Sequence, residues 1–200
     1  MLVSAIMPTT VGREPLMALA GQCFIQQDWP EKELIIVYEE PFTIGAKLNR
    51  ACELAKGDIL IRWDSDDWSA TTRITDQVNR LIQNQKSISG YNSMYFWDML
   101  KNRASKYTGT TDYSLGTSLC FTRKYWEANR FKEDTKNGSY GEDLFFQEKA
   151  RADKNTLSIQ ADQMMVARLH GSNCSSNKVV FPVVPIEALP KQFFTDMNGG

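Results

Sequence analysis

Strand-like and helix-like patterns alternate along the first third of the chain, and this alternation restricts the possible folds more than any other feature. Three short apolar runs have the length and composition of strands buried on both faces. These runs cover residues 2–7, 33–38 and 58–63. Apolar residues at helical spacing follow each run. The first predicted helix opens at Pro15. The second covers residues 44–55, with Gly57 as a left-handed cap, and the third covers residues 74–85.

This order of elements predicts an α/β fold with a mostly parallel central sheet flanked by helices. Consecutive parallel strands are joined by right-handed crossovers, and their helices cover both faces of the sheet. In such sheets, ligands bind beyond the carboxyl ends of the strands. Residues 8–10, 39–41 and 64–67 directly follow the three predicted strands. We therefore expect these three segments to lie along one rim of the sheet.

The second half of the chain has a different pattern, in which shorter runs mix aromatic and polar residues. It predicts a smaller mixed sheet, with helices near residues 124–129 and 142–151. A chain of 200 residues, 42% of them hydrophobic, can bury a core without disulfides or metals, so one compact domain is expected. We place this domain at residues 1–178. Residues 179–200 contain three prolines and predict a tail that either wraps the domain or is loosely ordered.

Charge and cysteine usage argue against several classes of protein. The formal net charge of -1, with basic residues spread along the chain, gives little reason to expect a nucleic-acid or anionic-membrane surface. The four cysteines lack the CxxC spacing of zinc sites and indicate a reducing compartment. No uncharged run approaches the twenty residues of a membrane span, and no secretory leader is evident. These features predict a cytoplasmic protein that is soluble or attached peripherally to a membrane.

An acidic cluster, Asp64, Asp66 and Asp67, follows the third predicted strand within the sequence "IRWDSDDWS". Carboxylates this close repel one another unless solvent or a cation neutralises them. Magnesium and manganese prefer such oxygen ligands and take only one or two carboxylates when they bind phosphates. Aspartate pairs are also common in solvated loops, so the motif by itself is weak. Trp63 and Trp68 flank the cluster, either as core residues or as rings that stack on a nucleotide base.

Two further polar features stand later in the chain. Asp143, in "GEDLFF", lies at a predicted helix start, where a carboxylate either stabilises the helix dipole or serves as a general base. His170, the single histidine, follows a strand-like run over residues 164–169. An imidazole can complete a manganese site, although a lone histidine is more often structural.

The chain resembles family 2 glycosyltransferases of the GT-A fold from about Val3 to His170. The segments that carry the resemblance occur in the family's order: "VSAIMPTT", "ELIIVYEE", "IGAKLNRACELAKGDILIRWDSDDW", "GTSLCFTRKYWEANRF", "GEDLFF" and "RLHG". The resemblance implies a Rossmann-like sheet. It also implies a nucleotide-sugar half at about residues 1–100 and an acceptor half at about residues 101–178.

The resemblance also implies roles for individual residues. Asp66 and His170 would hold Mn²⁺ or Mg²⁺ against the diphosphate, Asp64 would approach the ribose or base, and Asp67 would hold the loop by hydrogen bonds. Other residues implied to line the nucleotide or its sugar are Pro8, Thr9, Glu39, Lys47, Asn49, Gly116, Thr117 and Ser118.

The implied reaction is an inverting transfer with Asp143 as the catalytic base. The sugar donor would be a nucleoside-diphosphate sugar, with UDP as the expected nucleotide, and the acceptor would be a glycan or another hydroxyl compound. Tyr95, Trp97 and Tyr113 either contact an acceptor sugar or fill the core of the smaller sheet. Two alternatives remain open: a nucleotidyltransferase, and a non-catalytic module that binds nucleotide sugars or carbohydrates. The oligomeric state is not indicated.

Overall fold

The computed structural model describes residues 1–38, 43–133, 141–171, 173 and 181–198. The helices and strands alternate from the N-terminus as the sequence predicts. The strands are β1 (Val3–Pro8), β2 (Lys32–Val37), β3 (Ile59–Arg62), β4 (Trp68–Ser69), β5 (Ile88–Tyr91), β6 (Ser93–Asp98), β7 (Arg103–Thr108), β8 (Cys120–Thr122), β9 (Thr156–Ile159), β10 (Met165–Leu169) and β11 (Val183–Val184). The α-helices are α1 (Glu14–Ile25), α2 (Ile44–Leu54), α3 (Arg73–Gln83), α4 (Arg123–Ala128), α5 (Glu142–Ala152) and α6 (Lys191–Asn198).

The central sheet has the strand order β2-β1-β3-β8-β5-β9. β1 is parallel to both neighbours, with Val3 level with Lys32 on one side and Ile59 on the other. β9 is parallel to β5, whereas β8 runs antiparallel to β3 and β5. The predicted mostly parallel sheet is confirmed. Because β1 and β3 point the same way, their carboxyl ends reach one edge of the sheet together.

A second sheet has the order β11-β7-β6-β10-β4 and mixes parallel and antiparallel pairs. Its strands β4 and β10 determine the geometry of the acidic cluster. They pair antiparallel, with Trp68 level with Val166. The residues that precede Trp68 therefore lie beside those that follow Val166, so the acidic loop and the end of β10 become neighbours. This pairing brings Asp66 close to His170, which is far from it in sequence.

Residues 181–198 pack on the second sheet. β11 pairs with β7, and the buried Phe193 ring lies edge-on to Trp68 and Trp97 at centroid distances of 5.8 and 5.4 Å. Of the two expectations for the tail, wrapping is the one observed for the described residues. Residues 174–180 lie outside the described part of the chain, and the domain boundary at residue 178 stays a prediction.

Trp63 and Trp68 are core residues. Their side chains are almost fully buried, and their indole nitrogens donate to Ala20 O at 2.9 Å and to Asp196 Oδ2 at 2.8 Å. Burial of large aromatic rings contributes much of the free energy that holds a domain together. Neither ring is available to stack on a nucleotide, so the packing alternative is the one observed.

Gly57 corrects one local prediction. The preceding helix α2 ends at Leu54, and its cap, Ala55, is extended rather than left-handed. Gly57 does not have a positive φ, but a β-carbon at this position would lie 2.7 Å from both Leu2 O and Ser4 Oγ. Glycine is therefore required by close approach to β1, not by helix capping. Among the described residues, no helix is long and apolar enough to span a membrane.

Candidate active site

A cavity of about 510 Å³ opens at the carboxyl ends of β1 and β3, between the two sheets. Most of the predicted site residues line it, although they come from distant parts of the chain. These are Pro8, Thr9, Lys47, Asp64, Asp66, Gly116, Thr117 and Asp143. The prediction that the segments after β1 and β3 share a rim is therefore consistent with the fold. The segment after β2, with Glu39, lies outside the described residues.

The acidic cluster forms one wall of the cavity. One carboxylate oxygen from each of Asp64, Asp66 and Asp67 lies within 4.8 Å of the others. Asp67 is buried and accepts hydrogen bonds from Thr117 Oγ1 at 2.7 Å and from the Arg168 backbone N–H at 3.3 Å. Burial, followed by repulsion from Asp66 and Asp64, raises the pKa of Asp67 to about 8. A cation bound in this cluster would favour the ionised carboxylates and so oppose this rise in pKa.

Asp66 lies where the two sheets meet. Its Oδ2 atom is 2.9 Å from His170 Nε2 and 3.3 Å from both Arg13 Nη1 and Asn173 Nδ2. The Arg168 guanidinium donates to the backbone carbonyl of Asp66. The fold thus places His170 against Asp66, although His170 does not line the cavity, and their shared role in holding a metal stays a prediction.

These groups have the chemistry of a site for Mn²⁺ or Mg²⁺. Hard carboxylate oxygens suit both ions, and an imidazole nitrogen is an additional ligand that manganese accepts. Asp64, Asp66 and Asp67 are arranged closely enough to share one ion, whereas His170 is outside that group and contacts it through Asp66. The residues present therefore fit a divalent cation.

Arg62 connects the acidic cluster with the start of helix α5. Its Nε atom is 2.8 Å from Asp64 Oδ1, and its Nη1 atom is 3.0 Å from Glu142 Oε1. Burial alone would lower the pKa of Arg62, but the Asp64 and Glu142 carboxylates more than offset it and raise that pKa. This bridge was not predicted from the sequence. A charged residue inside the apolar run "DILIRW" was the signal, because a buried charge requires a partner.

Asp143 reaches the cavity from the first turn of α5. The helix begins at Glu142, and the residue that caps it, Gly141, has a φ of 103°, a left-handed value that glycine adopts without strain. The Asp143 carboxylate lies against Gly116, where a β-carbon would approach Asp143 Oδ2 to 2.6 Å. Tyr113 Oη donates to the same Oδ2 atom at 2.5 Å. Asp143 is therefore both near the helix N-terminus and directed at the cavity, so its two proposed roles are compatible.

Lys47 and Thr9 connect helix α2 to the end of β1. The Lys47 ammonium group donates to Thr9 O at 2.7 Å, and Thr9 Oγ1 is 3.1 Å from Ser65 Oγ in the acidic loop. Both side chains are buried, yet both border the cavity. Lys47 thus brings a positive charge to the rim beside the carboxylates.

Asn49 is not brought to the cavity. Its amide nitrogen donates to Phe131 O at 2.9 Å, and its carbonyl oxygen accepts from Trp126 Nε1 at 3.0 Å. These bonds connect α2 with α4 and with the segment after it, and they satisfy the polar atoms of the buried Asn49 side chain. Its predicted contact with the nucleotide stays a prediction.

Comparison with known proteins identifies the family. The model of the family described as "Glycosyl transferase family 2" matches residues 24–168, more than half of the chain. The chain belongs to glycosyl transferase family 2. The matched region includes the acidic cluster, Gly116 and Asp143, and it ends two residues before His170. The predicted family is thereby confirmed. No curated protein sequence matches the chain.

Solved structures share the GT-A fold at low sequence identity. S. aureus TarS 1–349 in complex with UDP-GlcNAc is 16% identical, with a TM-score of 0.69 over 90% of this chain and 62% of that one. The UDP complex of TarS 1–349 is 18% identical, with a TM-score of 0.66 over 84% and 61%. The mannosyltransferase PcManGT from Pyrobaculum calidifontis, in complex with GDP-Man and Mn²⁺, is 15% identical, with a TM-score of 0.59 over 88% and 57%. This chain thus spans about three fifths of the length of the TarS chain.

Proposed function

We propose that this chain is an inverting, metal-dependent glycosyltransferase that moves a sugar from a nucleoside-diphosphate sugar to an acceptor hydroxyl. One observation carries the proposal: a single cavity is lined both by Asp66, which contacts His170, and by Asp143. A cation-binding cluster beside a carboxylate that can accept a proton provides the two groups that such a transfer requires. Membership of the family supports the same reaction class.

We assign the rim of the central sheet to the sugar donor. Pro8, Thr9 and Asp64 border the part of the cavity expected to take the nucleoside, while the Lys47 ammonium group lies beside Thr9 and favours a negatively charged diphosphate. UDP is the proposed nucleotide, since the TarS structures are complexes with UDP and UDP-GlcNAc. The GDP-Man complex of PcManGT makes GDP sugars the next donors to test.

The proposed reaction is a single displacement. Asp143 accepts the proton of the acceptor hydroxyl while the acceptor oxygen forms a bond to the anomeric carbon. The bond between that carbon and the diphosphate oxygen breaks, and its electron pair leaves with the nucleoside diphosphate. Because the acceptor attacks the face opposite to the leaving group, the configuration at the anomeric carbon is inverted.

The chain's own residues prepare this step. Asp64, Asp66, Asp67 and His170 would hold Mn²⁺ or Mg²⁺, and the bound ion would offset the negative charge that gathers on the departing diphosphate. Gly116 and Thr117 line the cavity between the acidic cluster and Asp143, a position suited to the transferred sugar. The close contact between Gly116 and Asp143 leaves space there only for a residue without a side chain.

The first test identifies the sugar donor by thermal shift. UDP-, GDP- and dTDP-sugars are added to the protein with Mn²⁺, and the measurement is repeated with EDTA. We expect at least one nucleotide sugar to stabilise the protein with Mn²⁺ and not with EDTA, because ligands that bind only the folded state raise its melting temperature. Stabilisation that is equal in EDTA would contradict a metal-dependent site.

The second test follows release of nucleoside diphosphate from that sugar donor, with water and simple methyl glycosides as acceptors. Asp143→Asn should lower kcat by about 100-fold or more, because it removes the proton acceptor, and should leave the dissociation constant of the donor within about twofold. Asp153→Asn, which changes an exposed carboxylate at the other end of α5, is the control and should keep wild-type kcat. Stabilisation without nucleotide release in the wild type would indicate a binding module, and unimpaired Asp143→Asn would remove the proposed base.

A further inference from the structure

Tyr113 makes a short hydrogen bond to the proposed base. Its hydroxyl group donates to Asp143 Oδ2 at 2.5 Å, and both side chains are half-buried. A hydrogen bond to a carboxylate is stronger than one between neutral groups. Burial, together with the negative charge of Asp143, raises the pKa of Tyr113 well above its ordinary value. The phenol therefore stays protonated at neutral pH and remains a hydrogen-bond donor.

The backbone on both sides of this bond is fixed. Gln147, one turn after Asp143 in α5, accepts from Ser114 N at 3.0 Å and donates to Ser114 O at 2.9 Å. Ser158 Oγ donates to Tyr113 O at 2.6 Å. Gln147 is fully buried, so its bonds to Ser114 are shielded from competing water. The segment that carries Tyr113 is thus attached both to the helix that carries Asp143 and to β9.

Gly116 also restricts the carboxylate. Asp143 Oδ2 and Cβ both lie where a side chain at position 116 would begin, at 2.6 and 2.8 Å from a constructed β-carbon. Tyr113 and Gly116 therefore both lie close to Oδ2. The second carboxylate oxygen, Oδ1, takes part in neither contact and is the one that can accept a proton from a molecule in the cavity.

We propose that Tyr113 is a positioning residue, which holds Oδ2 of Asp143 so that Oδ1 faces the acceptor hydroxyl. This inference rests on the proposed function, in which Asp143 is the base. A carboxylate in the first turn of a helix can otherwise adopt several rotamers, only some of which direct an oxygen at the reacting proton. Fixing one rotamer raises the fraction of molecules with reacting groups in position, and small displacements of such groups have large effects on rate.

The test is Tyr113→Phe, which removes the hydroxyl group and keeps the ring. With the nucleotide sugar selected by thermal shift, kcat should fall about tenfold to hundredfold, because the carboxylate loses a charge-assisted hydrogen bond and its fixed orientation. The dissociation constant of the sugar donor, measured by titration calorimetry with Mn²⁺, should stay within about twofold of wild type. A loss of donor affinity as large as the loss of kcat would overturn the inference.

Tyr125→Phe is the matched control. Tyr125 is also a tyrosine that donates to α5, to Phe146 O at 2.8 Å, but it packs in the core and does not line the cavity. The Tyr125→Phe variant should lose at least as much free energy of unfolding as Tyr113→Phe and keep kcat within about twofold of wild type. If both variants lose kcat equally, Tyr113 acts only through stability and the inference is wrong.

Combining variants separates this inference from the proposed function. In an Asp143→Asn background, measured by nucleotide release over hours, Tyr113→Phe should change the residual rate by less than about twofold, since its effect passes through the carboxylate. A full tenfold effect in that background would contradict the inference. If Asp143→Asn is inactive and Tyr113→Phe has wild-type kcat, the inference fails while the proposed function stands. If Asp143→Asn is fully active, the proposed base itself fails.

Discussion

The two walls of the cavity are built from different chemistry. The wall from the central sheet contains many charged side chains. Contacts between residues that are distant in sequence stabilise it, such as those of Arg62 with Glu142 and of His170 with Asp66. The wall from the second sheet is mainly apolar, with two basic residues and one acidic residue at its edge. Its lining residues include Met94, Phe96, Asp98, Leu100, Lys101, Arg103, Leu169 and Phe181.

Under the proposed function, this difference bears on how the two substrates are recognised. A charged diphosphate and a cation would require fixed polar groups, which the central-sheet wall provides. An apolar wall offers few directional bonds, so selection of an acceptor would depend more on shape and on apolar contact. Variants that remove ion pairs should therefore have larger effects on the central-sheet wall than on the second sheet.

The largest effect is expected for Arg62→Met. The change leaves the buried carboxylate of Glu142 without its partner, and removal of one member of a buried pair costs about 3–5 kcal/mol. Urea unfolding should show this loss in the free energy of unfolding. Arg80→Met is the control, because Arg80 pairs with Asp76 while remaining 47% exposed, and it should cost less than about 1 kcal/mol. Equal losses would show that the Arg62 bridge contributes no more than a surface pair.

An intermediate effect is expected for His170→Ala. If His170 contributes to the cation site, the Mn²⁺ concentration that gives half-maximal nucleotide release should rise about tenfold or more, as is typical for loss of a group that ligates or orients a metal site. The measurement is a Mn²⁺ titration at saturating sugar donor. Asn173→Ala, which removes a longer contact to the same Asp66 oxygen, should have a smaller effect. An unchanged Mn²⁺ requirement in His170→Ala would return the histidine to a structural role.

The smallest effect is expected on the second sheet, for Asp162→Asn. Asp162 accepts from Lys106 Nζ and Ser93 Oγ, each at 2.6 Å, but it is partly exposed. Burial would raise its pKa, yet the bonds from Lys106 and Ser93 outweigh burial and lower that pKa. Hydrogen bonding to Asp162 likewise raises the pKa of Lys106. At pH 7 the variant should therefore lose no more than about 1 kcal/mol of the free energy of unfolding.

The pH dependence of this pair has a defined sign. A carboxylate with a lowered folded pKa contributes stability above its unfolded pKa, and that contribution disappears as the pH falls through the folded pKa. The raised pKa of Lys106 arises from the same interaction, so below the unfolded pKa of lysine its contribution persists only while Asp162 is ionised, and it is otherwise lost in alkaline solution. Urea unfolding of wild type and Asp162→Asn should therefore differ by a constant amount near neutral pH and converge below about pH 4. A difference that grows in acid would contradict this assignment.

The sequence predicted residue positions most directly where they follow from a local pattern. Asp64 and Asp66 come at the end of an apolar strand, so their positions on the rim followed once the order of strands was known. The position of Asp143 was implied only by the family resemblance. Their partners were harder to predict. Tyr113 could have been a core residue or an acceptor contact, and nothing near it in the sequence indicated a bond to Asp143. Asn49 lies beside Lys47 on α2, yet only Lys47 borders the cavity, because the two side chains leave the helix in different directions.

By itself, the sequence determined the type and order of the main elements, and with them which segments follow the strands of the central sheet. Hydrophobic periodicity carries this information because it is a local property of the chain. Only the tertiary structure decided that Arg62 pairs with Asp64 and Glu142, that Gly57 lies against β1, and that Tyr113 bonds to Asp143. A buried polar group must find a partner, but that partner can come from any part of the chain, and packing of the folded elements selects it.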